Sequence, residues 1–378
     1  MPKRHVRNPP RATPKRVADT SVPKGMLRIA TTMAVPALLR EYGVDPVPLL
    51  AEFGLEPADF EDPENRIRYS TVTQLLGRCT EVTCCPHFGL LVGQRAGTSA
   101  LGAVGFLMQS SPTVRTALEI LVRHLWVHSP SAAASLVEDS SFATLGLTVH
   151  GTGLEDLDPY LDMGIAIACN VMRGLCGHHW QATEVRLAHG RPRNLAPFRH
   201  FFQAPLRFDT GETALVFASS WLDKPLLSAD PLLHTMMQQR VSEQASLADD
   251  DVSSQLRRML PSLVTTYSDS LAVAAKRVGL ATRTLNRRLA AEGTSYLKLR
   301  EEARYAIARQ LLASTRMPAN QVAERLGYTN SSAFTRAFRQ WSGEAPAEWR
   351  ATKARRSGRV SASVLPDAAD LRLPSRAR

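Results

Sequence analysis

The sequence predicts an α+β N-terminal domain, with helices and an antiparallel sheet, followed by an all-α domain in which two helix-turn-helix units are joined by a long helix. Three observations support this fold class. A pattern of two amphipathic segments separated by a glycine occurs twice in the last third of the chain. The stretch between the copies has one apolar face at helical spacing, and the middle of the chain mixes helical periodicity with strand-like alternation.

Positive charge is concentrated around the doubled pattern. Residues 254–353 contain 17 Lys and Arg against 7 Asp and Glu, whereas residues 25–253 contain 16 against 25. The formal net charge of the whole chain is +11. A basic block of this kind favours a polyanionic partner, because binding releases counterions that are condensed on phosphate groups.

Charge and composition divide the chain into four segments. We expect a disordered basic arm at residues 1–24, a folded domain at residues 25–250, a helix-turn-helix domain at residues 254–353 and a disordered basic tail at residues 354–378. The arm lacks the apolar core of a secretory signal, and no apolar run approaches the roughly 18 to 20 residues that span a bilayer. We therefore expect a cytoplasmic protein without a membrane partner.

The first part of the folded domain is predicted to be helical. Residues 34–60 have helical periodicity that is broken at Gly43. Pro112 is expected in the first turn of a later helix, because proline is tolerated there. The helices that follow residue 60 are expected at Tyr69–Val82, His87–Arg95 and Thr113–Leu125.

The pattern then changes to strands around one buried helix. Ala132–Glu138 and Phe142–His150 alternate on either side of a polar turn, which predicts a hairpin. Leu157–Cys176 is apolar at helical spacing and is expected to be a buried helix. Further strands of an antiparallel sheet are expected at Thr183–Ala188, Leu206–Phe208 and Ala214–Phe217. Ser228–Val252 is expected to be mostly helical.

The first copy of the doubled pattern begins with a helix at Leu271–Val278. Gly279 suits the left-handed turn that follows, and Thr282 is expected to cap the next helix. On that helix Leu285 and Leu289 are four residues apart and should face the core. The polar side chains then expected to face outward, at positions from which a recognition helix reaches base edges, are Arg283, Thr284, Asn286 and Arg287.

The second copy repeats this arrangement. A helix from Pro318 to Leu326 is followed by Gly327 in the turn, and Thr329 or Asn330 should cap the next helix. The side chains expected to face the core are Phe334 and Phe338. Those expected to face outward are Ser331, Ser332, Thr335, Arg336 and Arg339.

A long helix is predicted between the two copies. Ser295–Ala313 places apolar residues on one face, and its 19 residues span roughly 28 Å at a rise of about 1.5 Å per residue. Major-groove faces on one side of DNA recur about every 34 Å, so the two readers can enter successive grooves. Glu301, Glu302 and Arg304 on this helix are expected to form ordinary surface pairs.

Several segments of this region resemble the signature of AraC/XylS-type transcription regulators. They are Ala308–Leu312, Val322–Tyr328, Ala333–Phe338 and Gly343–Arg350. The resemblance implies a DNA-binding domain that recognises double-stranded DNA upstream of promoters, and it implies base-reading roles for seven residues. They are Arg283, Asn286, Arg287, Ser331, Ser332, Thr335 and Arg336.

The N-terminal domain is similar to the effector-binding region of one branch of this family. The resembling stretches are Phe88–Gly93, Leu101–Phe106, Phe201–Leu206 and Pro225–Leu232. The resemblance implies a small-molecule effector and a homodimer. Contact with RNA polymerase is a further expectation, as is association with the bacterial nucleoid. Trp126, His128 and Trp180 are candidate pocket residues.

Two alternatives remain open from the sequence. One is a DNA-modifying or repair enzyme that the C-terminal domain targets, because some repair proteins join such a domain to a methyl-accepting cysteine and this chain contains Cys84 and Cys85 before Pro86 and His87. The other is an architectural DNA binder without an effector. No catalytic constellation, phosphate loop or dinucleotide motif stands out, so we expect no catalytic residues and no cofactor.

The cysteines do not suggest a metal site or a disulfide framework. Their number, five, is odd, and their spacings match no usual zinc pattern. We expect buried free thiols in a reducing compartment and no bound metal.

Overall fold

A computed structural model describes residues 25–149, 157–246 and 251–353 of the chain. The predictions for the basic arm and the basic tail lie outside these residues. Buried apolar side chains form two clusters, one running from Leu27 to Val241 and the other from Val252 to Phe338. Across the described residues, no helix combines the length and the apolar composition that a bilayer-spanning segment requires.

The helices of the N-terminal part match most of the predicted ones. In chain order they are α1 (Val35–Glu41), α2 (Pro46–Ala51), α3 (Tyr69–Val82), α4 (Phe88–Gln94), α5 (Ala103–Gln109), α6 (Val114–His128), α7 (Asp158–Cys176), α8 (Ala196–Phe202) and α9 (Pro231–Ser246). The prediction for Pro112 was wrong, because Thr113 is the N-cap of α6 and accepts a hydrogen bond from the Thr116 amide. Helices α5 and α8 were not predicted.

The main sheet has five strands in the order β3-β4-β7-β5-β6. They are β3 (Ala132–Glu138), β4 (Phe142–Val149), β5 (Glu184–Arg186), β6 (Leu206–Arg207) and β7 (Thr213–Ala218). A separate pair, β1 (Met26–Arg28) and β2 (Arg66–Arg68), was not predicted. The sheet is antiparallel except for β5 and β6, which pair in parallel because α8 carries the chain back between them.

Strands β3 and β4 have two differently occupied faces. Ala134 and Leu145 point to one face, where they lie near α6 and α7. Ser135 and Thr144 point to the opposite face, where they lie near the C-terminal helices. Because side chains alternate along a strand, one hairpin separates the interior of the N-terminal domain from the C-terminal domain.

The C-terminal part contains the two predicted helix-turn-helix units and the helix between them. Its helices are α10 (Val252–Thr265), α11 (Leu271–Arg277), α12 (Thr282–Ala291), α13 (Tyr296–Ser314), α14 (Ala319–Arg325) and α15 (Ser331–Ser342). The prediction that Thr282 caps α12 was wrong. Ala281 occupies the cap position, so α12 begins without a side-chain cap, whereas Asn330 caps α15 with a 2.8 Å bond from the Ala333 amide.

Candidate DNA-binding interface

Each helix-turn-helix unit turns at a glycine with a positive φ. Gly279 has φ +69° and Gly327 has φ +71°. Glycine reaches this left-handed region without the steric cost that a Cβ brings. The two turns therefore give the helices of both units the same local geometry, as the repeated sequence pattern predicts.

The first predicted reading helix, α12, separates its apolar and polar faces. Leu285 and Leu289 are fully buried. Arg283, Asn286 and Arg287 are exposed. Thr284 is half-buried, and it lies on the boundary between the two faces. All four predicted site residues of this helix are therefore on or beside its solvent face.

The second predicted reading helix, α15, has the same division. Phe334 and Phe338 are fully buried. Thr335 is half-buried and lies beside the polar face. The predicted site residues that are exposed on this helix are Ser331, Ser332, Arg336 and Arg339.

The four arginines predicted as site residues on α12 and α15 are available for an external anion. Within the described part of the chain, none of them forms an ion pair with a carboxylate. They are Arg283, Arg287, Arg336 and Arg339. An exposed guanidinium without an internal partner can form two parallel hydrogen bonds to a guanine edge or to a phosphate.

Helix α13 fixes the two units relative to each other through Arg304. The prediction of a surface pair was wrong for this residue, because its side chain and that of Asp269 are only 13% and 17% exposed and lie 2.9 Å apart. Its guanidinium also lies 5.1 Å from the ring centre of Tyr328. Asp269 precedes the first unit and Tyr328 belongs to the second turn, so one arginine contacts both units. Glu302 does form an exposed pair, with Arg257.

The second unit is also bound to the N-terminal domain by polar contacts that the sequence did not predict. The Arg325 guanidinium donates a 3.1 Å hydrogen bond to the Thr210 carbonyl and lies 3.4 Å from a Glu212 carboxylate oxygen. The backbone amide of Arg316 donates to the Asp209 carboxylate at 3.1 Å. We call the contacts of Arg316 and Arg325 with residues 209–212 the interdomain tether.

The cysteines only partly match the expectation of buried thiols. Cys84 is exposed, whereas Cys79, Cys85 and Cys169 are buried and Cys176 is half-buried. Burial raises the pKa of Cys79 to about 12, which keeps this thiol protonated and a poor nucleophile. Within the described ranges, no group of three or more His, Cys, Asp or Glu side chains is arranged to hold a metal ion.

The three candidate pocket residues lie in three different places. His128 lines a cavity inside the N-terminal domain. Trp126 lines the cleft between the two domains, where the Arg258 guanidinium lies 3.9 Å from its ring centre. Trp180 is fully buried against Phe217. The structure therefore does not bring them together into one pocket.

Comparisons with known proteins agree with this architecture. Residues 43–226 match the N-terminal arabinose-binding domain of AraC transcription regulators, and residues 274–352 match a helix-turn-helix domain. The ornithine utilization regulator of Pseudomonas aeruginosa is 28% identical over 330 residues, covering 86% of this chain and 96% of that protein. The transcriptional regulator VirS of Mycobacterium tuberculosis is 27% identical over 330 residues, with the same coverage.

Among solved structures, the transcriptional regulator CdpR from Pseudomonas aeruginosa is 24% identical, with a TM-score of 0.36 over 69% of this chain and 85% of that one. The matched domains define a DNA-binding transcription regulator. Within that class, the chain belongs to the AraC/XylS type, with an arabinose-binding-like effector domain before its helix-turn-helix domain. The family and these relatives are transcription regulators rather than enzymes.

Proposed function

We propose that α12 and α15 read promoter DNA in two successive major grooves through nine side chains. They are Arg283, Thr284, Asn286, Arg287, Ser331, Ser332, Thr335, Arg336 and Arg339. The main support is that both helices bury their apolar pair completely while these polar side chains lie on or beside the solvent face. Arginine suits the O6 and N7 atoms of guanine, and Ser, Thr and Asn side chains reach bases or phosphates.

The proposal divides the chain into functional segments. Residues 25–250 bind the effector and form the homodimer, and residues 254–353 bind DNA. The division is supported by the two separate clusters of buried side chains, the second of which begins at Val252. It is also supported by charge, since the excess of acidic residues in the first segment would repel DNA whereas the basic second segment attracts it.

Dimerisation and promoter output complete the proposal. One chain with two reading helices recognises one short site, and a homodimer adds the free energies of two such sites. The effector changes the DNA affinity because it binds one arrangement of the domains more tightly than another. RNA polymerase is the further partner through which a regulator bound at a promoter acts, and the protein works in the cytoplasm at the bacterial nucleoid.

The test is to select duplexes from a random pool with the full chain and then measure the affinity of variants for the selected site. Arg336→Ala and Arg287→Ala should each lose about 1–3 kcal/mol of binding free energy and relax the preference at a single base pair. The logarithm of the affinity should also fall steeply with the logarithm of the salt concentration.

The matched control is Arg257→Ala, because this exposed arginine of the same domain is paired with Glu302 and lies on α10. It should bind the selected site like the wild-type protein. If Arg336→Ala and Arg287→Ala keep wild-type affinity and base preference, the reading-helix assignment is wrong. If the pool yields no preferred sequence, the regulator reads DNA without specificity and the proposal fails.

A further inference from the structure

A cavity lies inside the N-terminal domain, between α6, α7 and one face of the β3–β4 hairpin. Its volume is about 70 Å³. A single water molecule needs only about 10–15 Å³, and an apolar cavity of about 150 Å³ accepts benzene. The cavity is therefore larger than one water requires and, at its present size, suits a ligand somewhat smaller than a benzene ring.

The walls of the cavity are almost entirely apolar. They include Leu125, Leu145 and Met163, and no Asp, Glu, Lys or Arg side chain lines the cavity within the described residues. The polar side chains of the wall are Thr31, His128, Ser129 and Tyr160. A charged ligand would lose its hydration here without a compensating charge, which is strongly unfavourable.

Two of the polar side chains already satisfy each other. The Ser129 hydroxyl and the Tyr160 hydroxyl lie 3.2 Å apart and are hydrogen-bonded. His128 is different, because its residue is only 4% exposed and its Nδ1 atom has no hydrogen-bond partner among the described residues. His128 also lines a second cavity of about 20 Å³ together with Arg28 and Arg66. Buried polar atoms in folded proteins nearly always have a partner, so His128 can bind a polar group that enters either cavity. Only the cavity of about 70 Å³ has room for more than about one water molecule.

The His128 imidazole is uncharged over the physiological range. Burial, followed by the nearby positive charges of Arg28 and Arg66, lowers its pKa to about 3. A neutral imidazole offers one N–H donor and one acceptor nitrogen. It can therefore hydrogen-bond a hydroxyl or carbonyl group, but it supplies no positive charge to hold a carboxylate.

We propose that this cavity is the ligand site of the N-terminal domain and that it takes a small, uncharged, largely apolar molecule with one hydrogen-bonding group, which pairs with His128. A sugar does not fit this site, because its several hydroxyl groups would meet few partners in these walls and its ring exceeds the available volume. The inference depends on the proposed function only where it treats the ligand as an effector.

The position of the cavity explains how a ligand bound in it can influence the DNA-binding domain without contacting it. Leu145 and Leu147 of β4 form part of the cavity wall, and Thr144 and Thr148 of the same strand face α10 and α13 on the other side. A ligand that displaces β4 therefore also displaces the face of this strand that packs against the DNA-binding domain. By thermodynamic reciprocity, DNA must then change the affinity for the ligand by the same factor.

The test uses three probes of similar size, each smaller than benzene, on the full chain without DNA: propan-1-ol, butane and propionate. Their affinities are measured from shifts of methyl resonances in two-dimensional NMR spectra. We expect saturable binding of propan-1-ol and butane, and binding of propionate at least about tenfold weaker because the anion loses its hydration. His128→Phe should weaken propan-1-ol by about two- to twelvefold, the value of one hydrogen bond, and leave butane unchanged.

His124→Phe is the matched control. His124 lies on the same helix and also has an Nδ1 atom without a partner among the described residues, but it lines the interdomain cleft instead of this cavity. This variant should bind all three probes like the wild-type protein. Thermal unfolding of each variant identifies any variant that fails to fold. A third variant, Ala168→Leu, adds side-chain volume at the cavity wall and should abolish binding of both neutral probes.

Four outcomes would overturn the inference. They are propionate binding as tightly as propan-1-ol, His128→Phe weakening butane as much as propan-1-ol, Ala168→Leu binding both neutral probes like the wild-type protein, and the absence of saturable binding, which would leave the cavity to water. Affinity for the selected duplex is measured on the same samples. If the chain binds DNA normally but binds no probe, the ligand site is wrong and the proposed function stands. If it binds the probes but not DNA, the proposed function is wrong and the ligand site stands.

Discussion

The two helix-turn-helix units share a sequence pattern and a turn geometry, but their interiors differ. The first unit buries the aliphatic pair Leu285 and Leu289. The second buries Phe334 and Phe338, whose ring centres lie 5.7 Å apart and are surrounded by further aromatic rings. These rings are Tyr305, Tyr328, Trp341 and Trp349. One backbone geometry is thus maintained by two different kinds of packing.

Their attachment to the N-terminal domain differs as well. Arg325 of the second unit belongs to the interdomain tether. Arg277, which occupies the equivalent position in the first copy, is exposed beside the interdomain cleft and has no ion-pair partner among the described residues. The comparison indicates that the N-terminal domain holds the second unit more directly than the first.

The largest effect is expected from removing an aromatic core side chain. Phe334→Ala should lower the free energy of unfolding by about 3–5 kcal/mol, because it leaves a cavity between Tyr328 and Phe338. Leu285→Ala in the first unit should cost less, at the lower end of about 2–5 kcal/mol, because a smaller side chain is removed. Urea unfolding of the full chain, followed by circular dichroism, measures both.

Leu227→Ala is the control for this pair, since that leucine is fully exposed and its loss should change stability by no more than about 0.5 kcal/mol. Equal losses for Phe334→Ala and Leu285→Ala would show that the aromatic packing of the second unit adds nothing to its stability.

The second effect concerns the two turn glycines. Gly279→Val and Gly327→Val should each cost about 1–3 kcal/mol, because valine is strained at a positive φ. Gly327→Val should cost more, since its Cβ would lie only 3.3 Å from the Arg304 guanidinium whereas nothing lies within 4 Å at Gly279. Thermal unfolding of the full chain compares the two, and identical melting temperatures would contradict the predicted order.

These local features are the ones that the sequence predicts well. Glycine turns, apolar pairs four residues apart and the polar faces opposite them depend on the chain's own periodicity, so the pattern alone assigns Gly327, Phe334 and Arg336 to the turn, the core and the solvent face where they lie. The strands of the β3–β4 hairpin are predicted for the same reason. The prediction that Thr282 caps α12 failed because Ala281 occupies the cap position, where its backbone is extended but its side chain cannot accept a hydrogen bond.

Long-range partners could not be predicted in this way. Arg304 and Arg325 both belong to helices that the sequence predicts correctly. Their partners Asp269, Thr210 and Glu212 are distant in sequence and are brought into contact only by tertiary packing. The same holds for the parallel pairing of β5 with β6 and for the cavity beside His128. Composition and periodicity carry no information on which surfaces meet.

A smaller effect should distinguish the N-terminal caps of α12 and α15, the two proposed reading helices. Asn330→Ala should cost about 1 kcal/mol, because it removes the 2.8 Å bond to the Ala333 amide. Ala281→Asn should add a similar amount to the first unit, since position 281 already has extended backbone angles. Urea unfolding of both variants tests the pair. A stability that does not change in either direction would mean that the helix termini are equally well solvated without a cap.

The smallest change in stability is expected at the interdomain tether. Arg325→Ala should cost no more than about 1 kcal/mol, because the Arg325 and Glu212 side chains are 34% and 25% exposed and water screens the pair. Its larger consequence is local, since loss of the bond to the Thr210 carbonyl should speed amide hydrogen exchange in residues 209–212 and in α14. Arg277→Ala, the equivalent change in the first unit, should leave exchange unaltered. If both variants exchange alike, the second unit is no more tightly held than the first, and the difference between their attachments has no dynamic consequence.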